Sequence, residues 1–272
     1  AKAIARYELG HAGDEIHDMI SVGTDRLLCV FSTWHATELG LGQSWVLERV
    51  IGDLDGRSIP DRVTALDFRP DGQVLAIGSG DPSRSGVVMV ASVSNGAILR
   101  TFDSLHSDTV LSLRFSPDGR RLASGSSDKT IRLLDVQSQG IVAAMDGHTH
   151  HVMSLTWSWD GRVIASVSAD KTIKVWDAVT GQQKRTIGGI PDELTAIAFL
   201  DRTSEVAVAC GNGEVRIYNV DNGQMLRRSV AGGFLLTLAV TSDGGRILTG
   251  GQSGEVKVWN RVDGKLLSTW KE

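Results

Sequence analysis

The chain is short of cysteine, of surplus charge and of long apolar runs, and each shortage removes a class of function. Cys29 and Cys210 are its two cysteines, both on expected second strands of units far apart. No disulfide is expected between them, each reads as a small buried hydrophobe, and the redox compartment stays undecided. The formal net charge is −4 over 272 residues, with Lys and Arg scattered along the chain, so no nucleic-acid groove is announced. No apolar run approaches a membrane span. The opening AKAIARYELG alternates and carries charge, as a strand does and a signal peptide does not. The cytoplasm is therefore favoured over export. Because it begins without Met, the sequence reads as a processed protein or a piece of a longer one. Also missing are a nucleophile elbow and a haem attachment motif, and Gly211 and Gly213 fall in hairpins and do not open a helix around a phosphate. No catalytic residue, cofactor or metal is expected.

What is present is a repeat. VTALDFRPDG from Val63, VLSLRFSPDG from Val110, VMSLTWSWDG from Val152, LTAIAFLDRT from Leu194 and LLTLAVTSDG from Leu235 follow one another at intervals of 47, 42, 42 and 41 residues. Apolar side chains alternate with small or polar ones within each segment: Leu155 and Trp157 lie opposite Ser154 and Thr156. A small residue recurs at Ala65, Ser112, Ser154, Ala196 and Thr237, as an inner strand covered on both faces requires. Asp-Gly pairs at 71–72, 118–119, 160–161 and 243–244 supply tight turns into a second strand, and third and fourth strands follow. A period near forty residues, built of short strands, predicts an all-β propeller of four-stranded blades. Counting units gives six repeats in a single domain spanning 1–272, near 11–60, 61–102, 103–145, 146–187, 188–230 and 231–270. Ala3 to Leu9 reads as a spare fourth strand, yet the last unit also brings its own at Lys265 to Trp270. The ring then closes with six blades or, preferred here, is seven-bladed with three strands lying upstream of Ala1.

SPDGRRLASGSSDKTIRLLD from Ser116 and SWDGRVIASVSADKTIKVWDAVTG from Ser158, the second preceded by Gly147-His148, closely resemble the WD-repeat β-propellers, in an eroded form that resembles bacterial arrays. The likeness runs over residues 61 to 270. It implies a buried network of His, Ser or Thr, Asp and Trp in each blade, which in the fourth unit is His148, Ser166, Asp170 and Trp176. A structural role for these four follows from the rule that buried polar groups are partnered. The third unit keeps His106, Ser124 and Asp128 but has Leu134 for the Trp, which cuts its network. The fifth has Ile190, Val208, Asn212 and Tyr218, the sixth Ala231, Thr249, Ser253 and Trp259, and the second Ile77, Asp81 and Val90.

The resemblance also implies a non-catalytic scaffold that recognises a protein or peptide through its rim or central channel, with no nucleic acid and no membrane span involved. Two inserts, TWHATELGLGQS over 33–44 and DPSRSG over 81–86, are expected side by side on one rim. Trp34, His35 and Arg84 are accordingly the expected partner-binding residues, together with His150 and His151 in an exposed loop. A metal reading of the 148–151 run fails for want of a Cys or carboxylate at ligand spacing. Asp53, Asp55 and Gly56 form a plain turn, since no Glu closes a calcium loop. Two other readings stay open. One is a quinoprotein-like propeller enzyme, on the strength of the ending from Asp263 to Trp270, which that family carries in most blades. The other is a sensing or interaction module of a larger bacterial multidomain protein.

Overall fold

The computed structural model describes strands 16–22, 26–31 and 36–40, positions 51 and 59, and residues 61–138 and 140–271. The chain divides into two compact units, Ala1–Val50 and Ile51–Glu272, a boundary that falls inside the first sequence repeat. In the first unit β1 (Ile16–Val22), β2 (Arg26–Phe31) and β3 (Ala36–Gly40) form one antiparallel sheet. The strand at 36–40 corrects the reading of 33–44 as an insert: Arg26 pairs with Gly40 and Val30 with Ala36, so this stretch is a third strand. Ala3 to Leu9, Trp34 and His35 lie outside the described residues.

The second unit holds five four-stranded antiparallel meanders. They are β4–β7 (Val63–Phe68, Val74–Ser79, Gly86–Ser92, Ile98–His106), β8–β11 (Val110–Phe115, Arg121–Ser126, Thr130–Asp135, Ile141–Asp146) and β12–β15 (Val152–Trp157, Val163–Ser168, Ile173–Asp177, Gln183–Ile187). The last two are β16–β19 (Leu194–Phe199, Glu205–Cys210, Glu214–Asn219, Met225–Val230) and β20–β23 (Leu235–Val240, Arg246–Gly251, Glu255–Asn260, Leu266–Lys271). The last sheet does bring its own fourth strand, β23, paired with β22 from Glu255↔Lys271 to Trp259↔Leu266.

Successive sheets pack through their first strands, β4 on β8, β8 on β12, β12 on β16 and β16 on β20. The recurring small residue makes that approach feasible. Ser112 goes further, because its Oγ accepts the N–H of Leu155 in the next first strand at 3.2 Å. Each first strand also slips register by one residue near its start, between Val63 and Ala65, Val110 and Ser112, Val152 and Ser154, Leu194 and Ala196, Leu235 and Thr237. Such a bulge sharpens local twist and re-aims the extra side chain.

Each of the four seams between these sheets is filled by one apolar cluster, and the next-to-last residue of the third strand faces the preceding sheet. Trp176 packs with Ala123, Leu133 and Met145, Tyr218 with Val167 and Val175, and Trp259 with Ala207 and Ile217. The pairing Leu75↔Ala91 matches Ile164↔Trp176, so in the second unit this position is Ala91 and not Val90. Val90 faces the following sheet instead, in the cluster with Leu134.

The four-residue network of the fourth unit is present. Trp176 Nε1–H donates to Ser166 Oγ at 2.9 Å, Ser166 Oγ lies 2.8 Å from His148 Nε2, and His148 Nδ1 lies 2.8 Å from Asp170 Oδ2. A carboxylate only accepts, so Nδ1 carries the proton and Nε2 accepts from the serine hydroxyl. Asp170 also receives the Thr149 N–H at 2.9 Å and the Thr172 hydroxyl at 2.6 Å. Burial alone would raise the Asp170 carboxyl; the bonds from Thr172, Thr149 and His148 outweigh it and hold the group below its ordinary range. His148 is pushed below its ordinary value by burial, against the pull of Asp170.

Leu134 does not dismantle the network of the third unit. His106 keeps Asp128 at 2.9 Å and Ser124 at 2.8 Å, and only the indole leg is gone. In the last unit the reverse remains: Trp259 Nε1–H donates to Thr249 Oγ1 at 2.9 Å. The fifth unit turns apolar, with Ile190, Val208 and Tyr218 in one buried cluster. Beside it stands a charged clamp that the sequence pattern did not reveal: Arg216 Nε and Arg228 Nε lie 2.7 and 3.0 Å from the buried Glu214, and Arg216 Nη1–H donates to Tyr218 Oη at 3.3 Å.

His148→Ala is expected to lower stability by about 1 to 3 kcal/mol by orphaning Ser166 and Asp170. His106→Ala should fall in the same range, since both imidazole legs exist there, whereas exposed His150→Ala should stay within about 0.5 kcal/mol. Urea midpoints measure this; a loss for His150 matching that for His148 would contradict the assignment. The pH dependence has a definite sign. His148 is depressed from 6.5, so the unfolded chain takes up its proton first and stability falls as pH drops below that value. Asp128 and Asp170 are depressed from 3.8, and their contribution is lost as pH drops further. Urea midpoints between pH 7.5 and 5 should therefore fall less steeply in His148→Ala than in the parent, and parallel slopes would refute the depressed imidazole.

Candidate functional site

In a four-stranded meander the ends of strands two and four and the starts of strands one and three lie at one edge. The connections at 107–109, 147–151, 188–193 and 231–234 thus share an edge with the second-to-third turns at 80–85, 127–129, 169–171, 211–213 and 252–254. Hydrogen bonds peg these segments to one another. Asp108 Oδ1 accepts the N–H groups of Ser83 at 2.9 Å and Thr109 at 2.7 Å, tying the turn at 81–85 to the next connection. Ser126 Oγ donates to Asp108 O and Ser168 Oγ to His150 O, at 2.8 and 3.1 Å. Lys171 Nζ reaches Pro191 O at 3.1 Å.

The third turn position takes a left-handed backbone in all four short turns, with φ of +75° at Lys129, +65° at Lys171, +79° at Gly213 and +69° at Gly254. At Gly213 a Cβ would stand 2.4 Å from Gly233 O, so glycine is needed there. At 129 and 171 a long cationic side chain occupies a conformation that costs about 1 kcal/mol or more for a non-glycine residue. Asp128 and Asp170 hold these two turns, each accepting the backbone N–H two residues on, from Thr130 and Thr172.

Of the expected partner-binding residues, Arg84, His150 and His151 are all on this edge. Arg84 is 81% exposed, with Nη1 2.9 Å from Asp81 Oδ2. His150 is exposed and its Nδ1 accepts the His151 N–H at 2.9 Å, the two rings lying 4.3 Å apart. His151 is pushed below its ordinary pKa by burial and by His150 and Lys129, while Asp108 and Glu193 pull the other way. The same groups show what the pattern missed: Asp108, Lys129, Lys171 and Glu193 complete a strip of alternating charge around the two histidines. They were legible only as turn residues. Among the described residues no three His, Cys, Asp or Glu side chains gather as a metal site, and no helix is long and apolar enough to cross a membrane. Cys210 is buried on β17, and burial pushes its thiol up to about 12, which leaves it unreactive.

Comparison with known proteins agrees with this architecture. The family described as WD domain, G-beta repeat matches residues 49–90, 96–135, 140–177 and 228–260, more than half of the chain. The fifth unit, apolar where the network belongs, falls outside these matches but for its last residues, as do residues 1–48. The chain is 30% identical over 79 residues to cilia- and flagella-associated protein 52 of Chlamydomonas reinhardtii, a stretch covering 29% of this chain and 13% of that protein. The structure is similar to those of the RRP9 WD40 repeats and of U3-55K, each with a TM-score of 0.71 and 24% identity over 77% of this chain. The match spans 63% and 64% of those two chains, so this chain covers less than two thirds of each of these relatives. The chain belongs to the WD domain, G-beta repeat family, and its five described four-stranded sheets are blades of a WD40 propeller.

Proposed function

We propose that this propeller is a platform for protein recognition without catalysis of its own, and that the edge carrying Arg84, Lys129, His150, His151 and Lys171 is its docking surface. WD40 propellers are in general such scaffolds. The observation carrying the reading is the pegging of loops from successive blades, which fixes a strip of alternating charge before any partner arrives; a preorganised surface loses little entropy on binding. Trp34 and His35, expected with Arg84 on a partner-binding surface, lie outside the described residues, so the proposal rests on Arg84 and the other edge residues. A quinoprotein-like enzyme draws little support, since the ending it needs occurs once, at Trp270, which is exposed. The bacterial multidomain reading draws none from the relatives found.

The test is capture of partners from a lysate of the source cells by the intact protein, by Arg84→Glu/Lys129→Glu/Lys171→Glu, and by the opposite-edge control Arg162→Glu. Partners recovered by the parent and the control should drop by about 30-fold or more with the triple variant, corresponding to at least 2 kcal/mol. Equal recovery by all three proteins would remove this edge from the interface.

A further inference from the structure

Among the described blades, three of the four seams are plugged near the end of the third strand by an aromatic ring, Trp176, Tyr218 or Trp259. At the seam between the second and third units that place is taken by Leu134, and a cavity of about 190 Å³ opens beside it, lined by Val90, Phe102, Leu122, Leu134, Arg69 and Arg100 among others. An engineered cavity of ~150 Å³ with comparable apolar walls admits benzene. The void left by the missing ring is therefore large enough to receive one from outside.

A second departure from the repeat converges on the same cavity. After the first strand three of the other described blades place a hydroxyl that closes the following turn, Ser116 on Asp118, Ser158 on Asp160 and Thr241 on Asp243, and the fifth unit has the apolar Leu200. The second unit has Arg69 there, paired with Asp71 at 2.6 Å. Its stem lies against Gly119, where a Cβ would come within 2.9 Å of Arg69 Cγ. The Arg69 Nε–H is buried and has no acceptor among the described residues. Arg100, on the outermost strand β7, is exposed, holds its guanidinium over the Phe102 ring at 5.6 Å, and forms no ion pair among the described residues. Its neighbour Leu99 is 55% exposed. Among the described residues this is an apolar hole with one buried N–H lacking an acceptor and one cation lacking an ion pair beside it, and it is complementary to an aromatic group with a carboxylate next to it.

We infer that this seam is a binding site for an aromatic side chain flanked by an acidic residue, presented by a partner polypeptide. β7 favours a polypeptide over a free aromatic acid: it is the edge strand of its sheet, nine residues long, and offers backbone groups along which an extended segment can pair. The site lies toward the edge opposite the charged strip and stands independently of the proposed docking surface.

The experiment is a methyl NMR titration of the intact protein with the peptide acetyl-Ser-Phe-Asp-Ser-amide, its Asn-for-Asp and Ala-for-Phe counterparts, and 3-phenylpropionate. Shifts confined to Val90, Leu99, Leu122 and Leu134 are expected with the parent peptide, with affinity at least about tenfold weaker for each of the other three probes. Leu134→Trp should fill the hole and abolish binding while folding normally, as a Trp does at two other seams. Arg100→Glu, at an exposed position, should erase the preference for Asp over Asn, and it decides the matter should Leu134→Trp not fold. No shifts at those methyls at about 1 mM peptide, corresponding to no more than ~4 kcal/mol of binding, would overturn the proposal. So would unchanged binding by a folded Leu134→Trp, and equal affinity for 3-phenylpropionate would overturn the polypeptide as the source.

Discussion

Neighbouring blades meet where their first strands come closest, and the side chains at 65, 112, 154 and 196 set how close that is. All four are small and buried, which leaves room for the next strand and, at Ser112, for a hydrogen bond to its backbone. Everything outward of that line is a consequence. With first strands pinned together, the third strands diverge enough to need a large plug, and the chain supplies indole, phenol or, once, an isobutyl group. The edge loops are then carried at fixed spacing, so bonds such as Ser83 to Asp108 can form across a seam. A large residue at position 112 or 154 would force the blades apart and disturb both rows at once.

The His-Ser-Asp-Trp network is less general than this packing. It is complete in one unit, lacks one leg in another, is reduced to a single bond in the last and is replaced in the fifth by apolar contact. Each arrangement satisfies the same condition, that no buried donor or acceptor be left over. Ile190 opposite Val208 needs no partner, and Trp259 beside Thr249 needs only one. Glu214, Arg216 and Arg228 show the costlier route, a buried ion pair kept in place by several bonds.

Alternation and spacing made the five described blades legible, since strand period and turn chemistry are local properties. The complete network was legible as well, because four residue types at fixed spacing leave few alternatives. Three features were not. Ala36–Gly40 carries no apolar alternation and is bounded by Gly-Leu-Gly, so its pairing with β2 comes from the sheet and not from its own sequence. The shift from Val90 to Ala91 arises because the turn before β6 is longer, which hides the register until the strands pair. The seam cavity needs Leu134, Arg69 and Arg100 seen together, and they are 31 to 65 positions apart in the chain.

The pairing of β23 with its own hairpin neighbour bears on how this molecule assembles. All four strands of the last blade come from one contiguous stretch of chain, as they do in the four blades before it. Strand-pairing hydrogen bonds are thus local among residues 51–272, and contacts between blades, including the bond from Leu155 to Ser112, form at seams about one repeat apart. A chain wired this way has a low contact order for an all-β protein. Each blade can zip on its own and then dock on a finished neighbour, so assembly proceeds along the chain as in a linear repeat array, with seam formation as the step that makes the blades cooperative.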